Sequence, residues 1–251
     1  MKAILICAHG SKEAETGSAV REHSVRVSEL TKLPVYYGFN ASEEPAIPDV
    51  LKKMVSDGFD EIIVIPLFFA PGYLANKVIP KALGLEADVS EGEEVIAGKH
   101  VRIRITGVFG NHPGMKDVMY SVISSTGLPT KDTAVILVGH GSKDGKNSAV
   151  VEYNASFVSS MGYKAICAYN EMQSPTVEDA LSTALNAGYS HIIAIPMFVS
   201  PSVHSTREIP EKLGIKSGRT AHVGNADIIY CEEIGMNPMI AEILADRAEG
   251  I

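Results

Sequence analysis

The chain of 251 residues contains an internal repeat, and this repeat limits the possible folds more than any other feature. Residues 4–12 resemble residues 135–143, since both run from an apolar stretch into His-Gly-Ser-Lys. Further along, residues 45–85 align without gaps on residues 175–215, and 14 of these 41 positions are identical. Repetition over this length indicates one structural unit used twice.

Each half alternates short apolar segments with helical patterns. Four strands are predicted in the second half: Ala134–Val138, Ala165–Tyr169, Ile192–Pro196 and Ala226–Tyr230. Between the second and third strands, apolar residues recur at helical spacing from Val177 to Leu185. Ser174-Pro175 is predicted to open this helix and Gly188 to close it.

Strands that are apolar throughout are typical of parallel sheets covered on both faces. The predicted fold is therefore α/β, with two similar doubly wound parallel-sheet domains and a cleft between them. The expected domains are residues 1–128 and residues 129–251, joined near residues 126–132, where Gly, Pro and Thr suit a linker.

Charge and cysteine content exclude several classes of protein. The formal net charge of −8 disfavours nucleic-acid binding, which needs a basic surface. Cys7, Cys167 and Cys231 form no CxxC pair, and we interpret them as reduced thiols in a cytoplasmic protein. The apolar run at residues 3–8 is too short for a signal peptide or a membrane span, so we predict a buried strand and no membrane partner.

In open parallel sheets, ligands bind beyond the carboxyl ends of the strands. In the second half, His140 follows the first strand, Glu171 follows the second, and His204 lies in the loop after the third. Each residue alone has a structural interpretation: a hydrogen-bonded buried histidine, a solvated carboxylate, a loop histidine. Together, two imidazoles and one carboxylate without thiolates suit cobalt, iron or nickel in an open, reactive site. These three residues are predicted to be both the metal ligands and the catalytic residues.

The first half carries an incomplete version of this set. His9 matches the first histidine, but Ala41 and Leu74 stand where the second half has its carboxylate and its second imidazole. The complete site is therefore expected in the second half only. His9 either faces the site or makes a structural hydrogen bond.

The doubled strand-His-Gly-Ser pattern, with Pro-x-Phe and a following Ile-Pro, resembles the class II tetrapyrrole chelatases. The spacing of His140, Glu171 and His204 is similar to the His-Glu-His metal site of the anaerobic sirohydrochlorin cobaltochelatases. The resemblance implies cobalt insertion into sirohydrochlorin for cobalamin biosynthesis, with release of two pyrrole protons and without an organic cofactor or ATP. In several long members of this family the complete site lies in the N-terminal half instead.

A substrate with many carboxylates requires local positive charge on an acidic protein. Lys143 and Arg207 flank the two histidine loops, and Ser142 lies in a strand-to-helix turn of a kind that can cradle an anion. These three residues are the predicted substrate-binding residues.

Other functions remain open at this point. Iron insertion for siroheme and nickel insertion use the same donor types, and a tetrapyrrole or metal carrier without activity would need the same residues. A histidine phosphatase also has His-Gly after its first strand, but it needs an arginine where Ala8 and Gly139 stand. The sequence does not decide whether the chain forms a homo-oligomer.

Overall fold

The computed structural model describes residues 1–10 and 16–250. Ser11 and Lys12, the counterparts of Ser142 and Lys143, lie outside the described residues. None of the helices in the described ranges combines the length and the apolar character that a membrane crossing requires.

The first half forms a five-stranded sheet with helices between the strands. Its elements are β1 (Lys2–Ala8), α1 (Thr16–Thr31), β2 (Val35–Phe39), α2 (Ile47–Ser56), β3 (Glu61–Pro66), a π-helical turn (Leu74–Val78), α3 (Ile79–Ala82), β4 (Glu91–Ile96) and β5 (Lys99–Ile105). The strand order is β2-β1-β3-β5-β4, and only β4 runs antiparallel to its neighbour.

The remaining elements include a second sheet with the same topology. They are α4 (Met115–Ser125), β6 (Thr133–Gly139), α5 (Lys146–Ser160), β7 (Lys164–Tyr169), α6 (Val177–Asn186), β8 (His191–Pro196), a π-helical turn (His204–Glu208), α7 (Ile209–Lys212), β9 (Thr220–Val223), β10 (Ala226–Tyr230), a 3₁₀ turn (Ile234–Met236) and α8 (Ile240–Glu249). The order is β7-β6-β8-β10-β9. The two α/β sheets predicted from the repeat are thus confirmed.

The four predicted strands of the second half correspond to β6, β7, β8 and β10. Every residue of β6 is buried, so both faces of the sheet are covered at its centre. The sequence did not predict β9, an antiparallel edge strand whose four residues alternate between exposed and half-buried. A short edge strand has no continuous apolar run, which is the signal that identified the others.

Helix α6 packs its predicted apolar stripe on the sheet. Val177, Ala180 and Ala184 are fully buried in one core cluster with the strands. The helix begins at Val177, two residues after Pro175. Thr176 is its N-cap, because the Thr176 hydroxyl accepts from the Asp179 amide at 3.2 Å and the Asp179 carboxylate accepts from the Thr176 amide at 3.0 Å.

The compact units of the structure differ from the two sequence halves by an exchange of terminal helices. One unit contains residues 1–112 with residues 238–251, and the other contains residues 113–237. Helix α8 packs against α1 and β3, whereas α4 packs against α5. A boundary at residue 128 therefore describes the repeat in the sequence, whereas the compact units are divided near residues 112 and 238.

Candidate metal centre

Backbone hydrogen bonds hold the first two strand ends of the second sheet side by side. The Asn170 amide donates to the Gly139 carbonyl at 2.9 Å, and the Glu171 amide donates to the His140 carbonyl at 3.0 Å. These bonds continue the parallel pairing of β6 and β7 beyond both strands. His140 and Glu171 are therefore neighbours because of the backbone, before any side-chain contact is considered.

Gly141 permits this close approach. Its backbone has φ +92°, a left-handed conformation that favours glycine, and a Cβ atom there would lie 2.0 Å from the Glu171 carbonyl oxygen. No other residue fits without moving one of the two loops. The glycine that follows His140 is thus required by the geometry of the site.

His204 begins the π-helical turn that follows β8. The next residue, Ser205, is fully buried, and its carbonyl accepts a hydrogen bond from the Tyr230 hydroxyl at 2.7 Å. Tyr230 is the last residue of β10. This bond connects the turn to the sheet and so fixes the backbone position of His204.

The structure brings the three predicted ligands to one edge of the sheet. The rings of His140 and His204 lie 5.0 Å apart between centroids, roughly perpendicular to each other. His204 Nδ1 lies 3.9 Å from Glu171 Oε1. Both histidines are half-buried, whereas the Glu171 side chain is 41% exposed. Two imidazoles and one carboxylate thus converge from three separate strand ends.

A fourth residue, Glu208, joins this group. Its Oε2 atom lies 2.7 Å from His204 Nδ1. Within the described part of the chain, Glu171, His204 and Glu208 are the one set of three potential metal-binding side chains whose ligand atoms all lie within 4.8 Å of one another. The tightest trio therefore contains Glu208 in place of His140, and the sequence interpretation missed it.

Asn170 and Lys212 extend the contacts around Glu208. Asn170 Nδ2 donates to Glu208 Oε2 at 2.9 Å. Lys212 Nζ donates to the Asn170 backbone carbonyl at 2.9 Å and to Asn170 Oδ1 at 2.8 Å. The hydrogen bonds from His204 and Asn170 hold the pKa of the Glu208 carboxyl below its usual range, since they stabilise the ionised form.

Several polar groups of the predicted anion-binding turn already have hydrogen-bond partners in the protein. The Ser142 amide donates to Gln173 Oε1 at 2.8 Å, and the Ser142 hydroxyl oxygen accepts from the Asn147 amide at 3.1 Å. The Gly141 amide donates to Asn147 Oδ1 at 3.0 Å. Lys143 and Arg207, by contrast, are exposed. The two cations remain open to solvent, whereas Ser142 is held by Asn147 at the start of α5 and by Gln173 of the loop after β7.

Comparison with known proteins places the chain in a family. The CbiX family model matches residues 3–126 and then matches residues 134–250. The chain belongs to the CbiX family. The double match agrees with the repeat found in the sequence.

Individual relatives of this CbiX-family chain carry one activity in their names. The "probable sirohydrochlorin cobaltochelatase" of Halobacterium salinarum is 29% identical over 276 residues, which cover 99% of this chain and 91% of the relative. The "sirohydrochlorin cobaltochelatase" of Methanopyrus kandleri is 34% identical over 133 residues, which cover 45% of this chain and 93% of the relative. The second relative thus aligns along nearly its whole length with less than half of this chain.

A solved structure shares the fold over the whole chain. SirB from Bacillus subtilis with Fe3+ superposes with a TM-score of 0.80 and covers 99% of this chain and 94% of the SirB chain. The two sequences are 19% identical, so this likeness bears on the fold alone.

Proposed function

We propose that this CbiX-family protein is a metallochelatase that inserts cobalt(II) into sirohydrochlorin. The family and the names of the two relatives support the activity and the substrate. The main structural support is that His140, Glu171 and His204 converge at one edge of the sheet. A cytoplasmic location and the lack of an organic cofactor, of a nucleic-acid partner and of a membrane partner are part of the same proposal.

The donor set suits a metal that must be held and then released. Imidazole and carboxylate bind divalent cobalt, iron and nickel, and thiolates, which would retain a softer metal, do not take part. Three protein ligands leave coordination positions open, as in reactive metal sites. The incoming ring nitrogens can therefore bind the metal while His140, Glu171 and His204 still hold it.

The reaction itself transfers a metal ion and protons, without electron transfer. Two N–H bonds of the macrocycle break, bonds from the metal to the ring nitrogens form, and the bonds from the metal to the protein break. The released protons need an acceptor. His140 Nδ1 lies 3.3 Å from the Gly141 carbonyl, a group that can only accept. A proton on Nδ1 satisfies this contact and leaves Nε2 to bind the metal or take a pyrrole proton.

The substrate carries many carboxylates, whereas the protein has a net charge of −8. Lys143 and Arg207 are exposed and flank the loops that carry the two histidines. We assign to them the attraction of these carboxylates, with Ser142 in the adjoining turn.

Iron insertion is the second candidate and nickel insertion the third, because the same donors bind all three metals. An anaerobic assay of the purified protein with sirohydrochlorin and each metal in turn, followed by absorbance, distinguishes them. We expect the highest rate with cobalt(II). A highest rate with iron would reassign the protein to siroheme synthesis.

The same assay separates an enzyme from a carrier. With substrate in large excess, an enzyme forms many equivalents of metallated product for each protein molecule, whereas a carrier forms no more than one. A crystal soaked with cobalt(II) tests the site independently of activity. Anomalous density between His140, Glu171 and His204 is expected, and a strong peak elsewhere with none between them contradicts the assignment.

A further inference from the structure

The contacts of His204 define which of its two ring nitrogens carries the proton. Nδ1 lies 2.7 Å from Glu208 Oε2, the shortest contact that His204 makes with a side chain at this edge. An ionised carboxylate can only accept hydrogen bonds, so the proton of this bond belongs to the imidazole. Nε2 is then the nitrogen with a free lone pair, which a metal ion requires.

Asn170 holds the Glu208 carboxylate in the position from which it accepts the hydrogen bond from His204. Lys212 Nζ, which has only donors, lies 2.8 Å from one end of the Asn170 side-chain amide, so that end is the oxygen. The amide nitrogen therefore points the other way and donates to Glu208 Oε2 at 2.9 Å. The same amide nitrogen also lies 3.3 Å from His204 Nδ1. Both atoms are donors, so this contact is not a hydrogen bond; the two atoms are close because they donate to the same oxygen of Glu208.

We propose that Lys212, Asn170 and Glu208 form a chain of positioning residues that holds His204 in the Nδ1–H tautomer and presents Nε2 to the metal. The inference rests on the proposed function in taking His204 as a metal ligand. It gives Glu208 a role other than that of a direct ligand: Glu208 acts through Oε2, which accepts from both His204 and Asn170. Carboxylate partners of metal-binding histidines act in this way, by fixing the ring and its tautomer.

The first half of the chain provides a contrast within the same molecule. It keeps an asparagine, Asn40, at the position of Asn170, but Leu74, Val78 and Ala82 stand where the second half has His204, Glu208 and Lys212. The three replacements recur every four residues, so they lie along one side of the same helical segment. The charged partners are present only where there is a histidine to position.

The tautomer is the first quantity to measure, since it does not depend on metal or on activity. Imidazole nitrogen chemical shifts of isotopically labelled, metal-free protein report which nitrogen carries the proton. We expect His204 of the wild type to be protonated at Nδ1. In Glu208→Leu, which removes the acceptor, we expect a shift of population towards the Nε2–H form. Glu211→Gln, an exposed carboxylate on the adjacent α7, is the matched control and should leave the tautomer unchanged.

Cobalt(II) affinity is the second quantity. Loss of an outer partner of a metal-binding histidine typically weakens metal binding by about 10–100-fold, and we expect this range for Glu208→Leu. Glu208→Gln keeps an acceptor oxygen and should lose less. Lys212→Met should weaken binding in the same direction and by a smaller factor, because Asn170 stays but its amide is free to rotate. Lys216→Met, which removes a nearby exposed charge, is its control.

The outcomes separate this inference from the proposed function. If His204→Ala binds cobalt like the wild type, the metal site itself is wrong. If His204→Ala loses cobalt but Glu208→Leu keeps the wild-type tautomer and affinity, the positioning chain is overturned and the metal site stands. A cobalt spectrum of Glu208→Gln that shows one fewer oxygen ligand would make Glu208 a direct ligand and overturn the positioning role. Thermal unfolding of each variant shows that the comparison is made between folded proteins.

Discussion

At the carboxyl edge of each sheet, the same backbone contacts join the first two strand ends. In the first half the Ala41 amide donates to the His9 carbonyl at 2.9 Å, and in the second half the Glu171 amide donates to the His140 carbonyl at 3.0 Å. Each histidine is followed by a glycine with positive φ whose Cβ position is blocked by the facing carbonyl, at 1.9 Å for Gly10. The two halves therefore build one backbone frame twice.

The side chains on that frame differ. The first half places Ala41 and Leu74 where the second half places Glu171 and His204. Both halves form a π-helical turn at this point, so the turn is a property of the repeated fold rather than of the metal donors. Strands, glycines and turns therefore create the geometry of the site, and a few side chains determine whether the site can bind a metal.

A second difference lies behind the π-helical turn. In the first half a cavity of about 220 Å³ is lined by Ala75 of the turn and by Ile105, the last residue of β5. In the second half Tyr230, the last residue of β10, reaches the turn and donates to the Ser205 carbonyl. The turn that carries His204 is thus tied to its sheet by a buried hydrogen bond, which contributes on the order of 1 kcal/mol.

The largest expected effect tests the asymmetry of the two halves directly. His140→Ala or His204→Ala should lower the rate of metal insertion by on the order of 10²-fold or more, because each removes a metal donor or a proton acceptor. His9→Ala should cost less than about tenfold, since its half lacks the other donors. Steady-state insertion rates measured side by side check this, and an opposite order would falsify the assignment of the complete site to the second half.

Gly10 and Gly141, which have the same backbone geometry in the two halves, offer a matched pair of variants. Gly10→Ala and Gly141→Ala each force a side chain into a left-handed backbone against a carbonyl oxygen. Each should lower the free energy of unfolding by about 1–3 kcal/mol. Denaturant unfolding should give similar values for both, because the frame is the same. Cobalt binding should fall only in Gly141→Ala, where the displaced loop carries Glu171; equal losses in both would mean that the first half also holds the metal.

Glu171→Gln tests the charge of the carboxylate without changing its shape. The Glu171 side chain is exposed and glutamine has the same shape, so the fold should be kept. The loss of negative charge beside a divalent ion should weaken cobalt binding or slow insertion by at least about tenfold, or roughly 1.4 kcal/mol. Isothermal titration and insertion kinetics on the same preparation measure both, and unchanged values in both would remove Glu171 from the site.

Part of this structure was predictable because it follows from local patterns. Continuous apolar runs predicted β6, β7, β8 and β10, and the rule that ligands bind beyond strand ends selected His140, Glu171 and His204. The structure brings these three side chains to one sheet edge. The edge strand β9 was missed because it is short and half-exposed.

Glu208 was missed for a different reason. A carboxylate four residues after a histidine is common on helices and has no meaning until the ring orientation is known. The repeat held a usable signal, since Val78 stands opposite Glu208 and Ala82 opposite Lys212. The exchange of α4 and α8 between compact units was not predictable in this way, because the sequence repeat describes chain order and not which helix covers which sheet.

The smallest expected effect concerns the exposed cations, where the halves again differ. Arg207 corresponds to Lys77 in the repeat, but Lys77 is paired with Asp88, whereas Arg207 is exposed beside the proposed ligands. Arg207→Gln should raise the KM for sirohydrochlorin by about two- to fivefold, the equivalent of roughly 0.4–1 kcal/mol for one exposed ion pair. The difference from wild type should shrink at high salt, because the Debye length falls to about 3 Å at 1 M.

Lys77→Gln is the control and should leave KM unchanged, since Asp88 already neutralises that charge. If KM responds neither to Arg207→Gln nor to salt, uncharged groups such as backbone amides hold the substrate carboxylates, and the attraction assigned to Arg207 is wrong.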